Sequence, residues 1–311
     1  MQFELVKCNM LYGPEIPEMI REIGPGENGF QNNGYGLKDE EFRQYIMHNI
    51  DMSRGVGLAP GHVPQTLYWL YADGRPVGYA KLREYLNERL RFIGGHIGYC
   101  IRPTERRKGY GKQLLGEMLK EAGKLNIPNA LVTCLEENKG SRGVIESNGG
   151  RLADITDGEC HYWIGLDIAE GVREAHPDDF QEMLELWERT PGVGITKEDT
   201  EENIIKFLSR NKGLSFVYKA DSRIVGTSLC GHDGRRGYIY HTAVAQDYRG
   251  KGIGGMLVEK NLEKLRTEGI AKCRIFVFKS NEEGNAFWKR SGWETRDDLT
   301  TYSKDIYSKD V

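Results

Sequence analysis

Little in the sequence ties this chain to a membrane, a nucleic acid or a metal. No apolar run approaches the roughly 20 residues that span a bilayer. Residues 1–7 show no charged leader followed by an apolar stretch, so neither a secretory signal nor a membrane span is expected. The six cysteines (Cys8, Cys100, Cys134, Cys160, Cys230 and Cys273) are scattered and form no CxxC pair. The seven histidines show no HExxH spacing. Reduced thiols, a cytoplasmic location and no metal are the expectations. Charge of neither sign prevails: 43 Lys and Arg stand against 46 Asp and Glu, a formal net of -3. The whole-chain basic footprint of a nucleic-acid binder is missing. The densest basic run, Arg102 to Lys108, is short enough to be a solvated turn.

What is present is a globular composition and an internal repeat. With 311 residues, 39% hydrophobic and 29% charged, the chain has material for two cores. Arg106-x-x-Gly109-x-Gly111 recurs as Arg249-x-x-Gly252-x-Gly254, displaced by 143 residues. The same displacement carries Asn138 onto Asn281, Gly149 onto Gly292 and Ile101 onto Val244. Upstream, Gly74 to Gly78 resembles Ser222 to Gly226. Two tandem copies of one domain follow. Their boundary is expected near Asp167 to Gly171, which gives domains 1–168 and 169–311. The first copy carries extra residues at Gly24 to Gly36 and Gly55 to Pro64, read as surface loops, with a cover over a substrate site as the alternative.

Each copy reads as mixed α+β. In the second, strands are expected at Leu214 to Lys219, Arg223 to Leu229, Tyr238 to Val244, Cys273 to Phe278 and Thr300 to Ile306. Helices are expected from about Gly252 to Glu268, with Ile253, Met256, Leu257, Leu262 and Leu265 inward, and from Glu282 to Arg290. The first copy runs in parallel: strands at Leu67 to Tyr71, Pro76 to Leu82, His96 to Ile101, Ala130 to Leu135 and His161 to Leu166, and helices from about Gly109 to Leu125 and up to Asn148. A strand thus feeds a basic, glycine-rich turn that opens a helix. The unpaired amides and partial positive charge of a helix N-terminus suit a phosphate or diphosphate. Glycines allow close backbone approach, and Arg106, Arg107, Lys108, Lys112, Arg249 and Lys251 can add charge. A nucleotide-triphosphate loop is excluded because GxxxxGK[ST] is absent. Gly250-x-Gly252-x-x-Gly255 is a literal GxGxxG, but the first copy has Leu114 at the last position. Five residues also separate strand from glycine, and no acid closes the next strand, so a dinucleotide fold is rejected.

These residues resemble the GNAT superfamily of acyl-CoA-dependent N-acyltransferases. The resemblance rests on HTAVAQDYRGKGIGGMLV and SNEEGNAFWKRSGW in the second copy, and on GGHIGYCIRPTERRKGYGKQLL and EENKGSRGVIESNGG in the first. The first copy is especially similar to a group of predicted bacterial acetyltransferases bearing LREYLN before GGHIGY. It implies two domains, each a mostly antiparallel twisted sheet flanked by helices around a central strand–loop–helix. It implies acetyl-CoA as co-substrate, its diphosphate on amides around Arg107 to Lys112 and Gly250 to Gly255. Strand ends Cys100-Ile101 and Ala243-Val244 would pair with the pantetheine arm, and Asn138, Asn281 and Trp288 would lie along it. An amine acceptor, small molecule or protein, would attack the thioester directly. The family's tyrosine seven residues after the asparagine is replaced by Ile145 and Trp288, neither of which can protonate sulfur. His96, His241, Tyr238 and Tyr240 are the candidates for proton transfer. Cys100 and Cys134 read as packing groups. Arg235 and Arg236 read as a solvated hairpin turn. The missing tyrosine keeps a second class open, a non-catalytic acyl-CoA sensor or scaffold. A third arrangement pairs one active domain with one supporting domain, with activity expected in the more compact second copy. A homo-oligomer is left open.

Overall fold

The computed structural model describes residues 2–166 and 169–306. In the first half the order is β1 (Phe3–Lys7), α1 (Glu15–Ile23), β2 (Gly26–Glu27), β3 (Phe30–Gln31), α2 (Asp39–Met52), β4 (Gln65–Ala72), β5 (Arg75–Arg83), α3 (Glu88–Phe92), β6 (Ile97–Ile101), α4 (Tyr110–Lys124), β7 (Asn129–Leu135), α5 (Lys139–Glu146), β8 (Arg151–Thr156) and β9 (Glu159–Gly165). The second half holds β10 (Gly171–Glu174), α6 (Phe180–Glu188), α7 (Glu201–Arg210), β11 (Phe216–Ala220), β12 (Arg223–His232), β13 (Gly237–Val244), α8 (Ile253–Thr267), β14 (Cys273–Ile275) and α9 (Glu282–Arg290).

Two-residue turns with both central φ positive set the hairpins: Asp73-Gly74 between β4 and β5, Asp221-Ser222 between β11 and β12, and Asp157-Gly158 between β8 and β9. Such turns match the right-handed twist of the strands they join. The sheets are β1-β4-β5-β6, β7-β9-β8 and the two-stranded β2-β3 in the first half, all antiparallel. In the second half one sheet runs β10-β11-β12-β13-β14, antiparallel except for the β13–β14 pair.

Each main sheet is covered on both faces, because its strands alternate apolar side chains to either side. In the first half, Ile16, Met19, Ile20, Phe42 and Ile46 of α1 and α2 pack on Leu67, Trp69 and Tyr79. On the other face Leu114, Leu115 and Met118 of α4 meet Leu70, Ala80 and Leu82. Each fully buried Leu or Ile of this kind contributes about 1.5–3 kcal/mol. In the second half α6 and α7 cover one face through Met183, Trp187, Ile204 and Leu208. Ile253, Leu257, Val258 and Leu265 of α8 cover the other. Met256, expected inward, is 42% exposed. The buried stripe also includes Asn261, whose amide donates to the Leu214 carbonyl and whose oxygen accepts from Ser228.

Two further expectations fail. Thr300 to Ile306 form no strand, and β14 ends at Ile275, short of Phe278. Phe276 and Phe278 are accordingly about 60% exposed, at 62% and 60%. Of the expected boundary, Asp167 to Gly171, residues 167 and 168 lie outside the described residues.

The halves meet along a polar seam. His96, fully buried, receives the Leu131 amide on Nδ1 at 2.9 Å. Its Nε2 therefore carries the proton and donates to Asp178 Oδ2 at 2.7 Å. Asp178 Oδ1 accepts from the Leu86 amide, and His176 Nε2 donates to the Glu84 carbonyl at 2.6 Å. His176 and Asp178 flank the first turn before α6, which a buried pair between Arg173 and Asp179 fixes at 2.7 Å.

Candidate active site

Both halves open into a cleft where two neighbouring strands part company. In the second half β13 and β14 are hydrogen-bonded from Gly237/Cys273 to Ile239/Ile275 and then separate. In the first, the His96 amide donates to the Leu131 carbonyl at 2.7 Å, after which β6 pairs only with β5. A helix start faces each opening. Pro103–Glu105 and Gln246–Tyr248 form one turn of 3-10 helix after the strand, and Gly109 and Gly252 then lead into α4 and α8.

The turns have the same backbone in both copies. Positive φ occurs at Arg107 (61°) and Gly109 (86°), and at Gly250 (76°) and Gly252 (81°). Alternation of left- and right-handed residues turns successive amides toward one concavity, an anion-binding nest. Neither Gly109 nor Gly252 has a side chain to cap its helix, so the first-turn amides lack a side-chain acceptor. By contrast, α5 and α9 are capped: Asn138 Oδ1 accepts from the Ser141 amide and Asn281 Oδ1 from the Gly284 amide.

The two clefts enclose cavities of about 880 and 780 Å³. The first is lined by Cys100, Ile101, Arg106, Arg107, Gly109, Gly111, Lys112 and Asn138. The second is lined by Tyr240, His241, Ala243, Val244, Arg249, Gly250, Gly252, Gly254, Gly255, Asn281 and Trp288. Most of the residues picked out from the sequence are thus gathered into the two clefts. Lys108, Lys251, Tyr238 and His96 are not among the lining residues. Lys108 pairs with Glu105 at 2.8 Å, and the Lys251 ammonium sits 4.4 Å from the centre of the Tyr248 ring. Tyr238 stacks between Tyr240 and Phe276. His96 is corrected outright: its ring is sealed in the seam with both nitrogens engaged, which leaves nothing to exchange a proton with an acceptor.

The arginines of the repeat have a role the sequence did not reveal. Arg106 Nε donates to the Ile101 carbonyl at 3.1 Å and Arg249 Nε to the Val244 carbonyl at 3.2 Å. Each guanidinium also meets a carboxylate at 2.6 Å, Glu27 and Glu283 respectively. The arginine therefore ties the turn back to the strand end.

His241 holds a strained place. Its φ is 44°, at a bulge where the β12–β13 register slips between Thr227 and Leu229. The ring packs 4.4 Å from Trp187, and Nε2 lies 2.7 Å from Asp199 Oδ1. Burial pushes the Asp199 carboxyl up, but the hydrogen bonds from His241 and Thr196 outweigh it, and the net shift is downward. Asp199 stays ionised and fixes the imidazole, an arrangement suited to accepting a proton at the other nitrogen. Sequence reading missed Asp199, which lies 42 residues from its partner.

In the first cleft the sequence reading also missed Tyr99, Lys81 and Glu159, all lining residues. The Tyr99 hydroxyl is 3.0 Å from Ser141 Oγ at the start of α5, and burial pushes its pKa upward. The alternation of β5, β6 and β9 around the cleft is the signal that could have found them.

Residues 28–151 match the family model described as Acetyltransferase (GNAT) domain, and residues 180–293 the one described as Acetyltransferase (GNAT) family. A stretch of 128 residues is 31% identical to an acetyltransferase of Yersinia pestis (strain Pestoides F), covering 41% of this chain and 90% of that protein. Another of 133 residues is 30% identical to an acetyltransferase of Sodalis glossinidius (strain morsitans), covering 43% and 93%. Among solved structures, a RimL ribosomal L7/L12 alpha-N-protein acetyltransferase in complex with coenzyme A is 16% identical with a TM-score of 0.42, over 54% of this chain and 97% of that one. A PaiA N-acetyltransferase from Thermoplasma acidophilum in complex with coenzyme A is 18% identical with a TM-score of 0.38, over 42% and 92%. The chain belongs to the GNAT acetyltransferase family and carries two of its domains in tandem.

Proposed function

We propose that the chain is an acetyl-CoA-dependent N-acetyltransferase with a co-substrate seat in each half, residues 1–168 and 169–311 being the two units. The observation that carries this is the uncapped glycine turn, repeated with the same dihedral pattern at the mouth of each strand cleft. The diphosphate lies on the amides of residues 107–112 and 250–255. The pantetheine arm runs between the parted strands, along Cys100-Ile101 or Ala243-Val244. There a strand amide left without a cross-strand partner can face the thioester oxygen.

The acceptor amine attacks the thioester carbon, the C–N bond forms, the C–S bond breaks, and the thiolate takes up a proton. In the second cleft His241, held by Asp199, takes the proton lost by nitrogen, and Tyr240 borders the acceptor side. In the first cleft the Tyr99 hydroxyl, kept protonated by burial and joined to Ser141, offers the hydrogen bond to sulfur that Ile145 cannot. Ile145 is fully buried in the core.

The test is Gly109→Glu and Gly252→Glu, singly and together, with acetyl-CoA affinity and thiol release as readouts. Each single variant should lose one seat and the double variant both. Unchanged affinity in both single variants removes the reading.

A further inference from the structure

The acceptor side of the first cavity holds charges without counter-ions. Lys81 is 8% exposed, and its ammonium donates to the Gln31 carbonyl at 2.8 Å beneath the Phe30 ring, 5.0 Å away. Arg83 donates to the carbonyls of Gly94 and Gly95. Among the described residues, no carboxylate lies within ion-pair distance of Lys81, Arg83 or Arg89, all of which line the cavity. In the same cavity Glu159 is 8% exposed, forms no ion pair, and its Oε2 has no hydrogen-bond partner. The Tyr45 hydroxyl, another lining group, is also without a partner. Glu27 and Glu105 border this wall, but each is already engaged by a basic residue, Arg106 and Lys108 respectively.

Burying an unpaired charge is costly. That cost falls on the buried Lys81 and the partly buried Arg83; with the exposed Arg89 at the rim of the same space and the buried Glu159 carboxylate facing it, they are the imprint of a ligand bearing both signs. Resting on the function proposed above, we infer that the first domain acetylates a small amine that also carries an anionic group, carboxylate or phosphate. The anion sits against Lys81, Arg83 and Arg89, and the ammonium faces Glu159. The ammonium gives one proton to the Glu159 carboxylate. The freed lone pair then forms the C–N bond as the C–S bond breaks, and the surplus proton on the acylated nitrogen passes to the departing thiolate, which leaves as coenzyme A thiol. The titration pattern agrees with this placement. Burial, with the Arg83 charge second, lowers Lys81 to about 8, and burial raises Glu159 above the ordinary carboxylate value.

The experiment compares acceptor pairs on the full chain by thiol release from acetyl-CoA. Free amino acids and aminoalkyl phosphates are set against their methyl esters and against polyamines; the two anion classes separate carboxylate from phosphate. Capping the anion should lower kcat/KM at least tenfold. Lys81→Met should bring the ratio of free to capped acceptor close to one, while Lys81→Arg should keep it. Glu159→Gln should lower kcat and displace the acidic limb of the pH profile. Equal rates on free and capped acceptors, a preference for polyamines, or a ratio untouched by Lys81→Met overturns this inference. An unmoved pH profile in Glu159→Gln removes the base. No rise in thiol release over the amine-free background with any acceptor tested refutes the proposed function itself, a result distinguishable from indifference to capping.

Discussion

Replacing Asp178 by alanine tests the seam between the halves. Asp178 is the acceptor for the buried His96 Nε2–H at 2.7 Å and for the Leu86 amide at 3.3 Å. His96 has no exposed surface, and its other nitrogen already accepts from Leu131, so the released N–H has no substitute partner. A buried donor left unpaired costs about 1–3 kcal/mol, so two such losses come to about 3 kcal/mol. At about 2–4 °C per kcal/mol for domains of this size, the melting transition should fall by roughly 6–12 °C. Asp178→Asn keeps an acceptor oxygen and should lose about 1 kcal/mol. Differential scanning calorimetry on the full chain reads both. A shift of less than about 2 °C for Asp178→Ala would refute the claim that this network joins the halves.

The same seam sets a pH dependence. Burial lowers the His176 pKa, outweighing the nearby Asp178 and Asp179 charges. A histidine held neutral adds stability above its unfolded value of about 6.5, and that stability fades as pH falls through it. Asp178, pushed up by burial but held down more strongly by His96 and His176, adds stability above about 4 that is lost below it. Melting temperature should therefore drop in two stages between pH 7 and 3, and a flat profile contradicts this. Gly252→Ala places a Cβ at φ 81° in open space, so only backbone strain of about 1–2 kcal/mol is expected, with a correspondingly weaker coenzyme A affinity by titration calorimetry. His241→Ala or Asp199→Asn should lower turnover at the second cleft by about 10²–10⁴ in kcat for the first and less for the second; wild-type turnover in both would exclude the pair. Burial raises the thiol pKa of Cys8 to about 12 and of Cys134 to about 11, and raises Cys100 too. Native protein at pH 8 should alkylate these three far more slowly than denatured chain, as read by mass spectrometry.

The glycine turns were legible because they are local: strand, basic turn and helix lie within about 30 residues, and each asserts itself through backbone chemistry. The helix Glu282–Arg290 was read to the residue because Asn281 caps it. The last strand was misread at Thr300 to Ile306, where a polar-rich sequence does not pair among the described residues. His96 misled because a histidine before a strand looks alike whether it faces a cleft or a neighbouring domain; only Asp178, 82 residues on, decides. Lys81 and Glu159 escaped for a similar reason, since they meet at one cavity from strands far apart in the chain. The segment LREYLN gained its meaning only in three dimensions. Glu84 and Leu86 dock on the second half, and Asn87 caps α3 through the Leu90 amide.

Two co-substrate seats per chain are the feature on which the proposed activity depends most directly. Titration calorimetry of the full chain with coenzyme A should give two sites per chain, one of which disappears in Gly109→Glu and the other in Gly252→Glu. A chain that binds no coenzyme A, or whose binding survives both substitutions together, would contradict it.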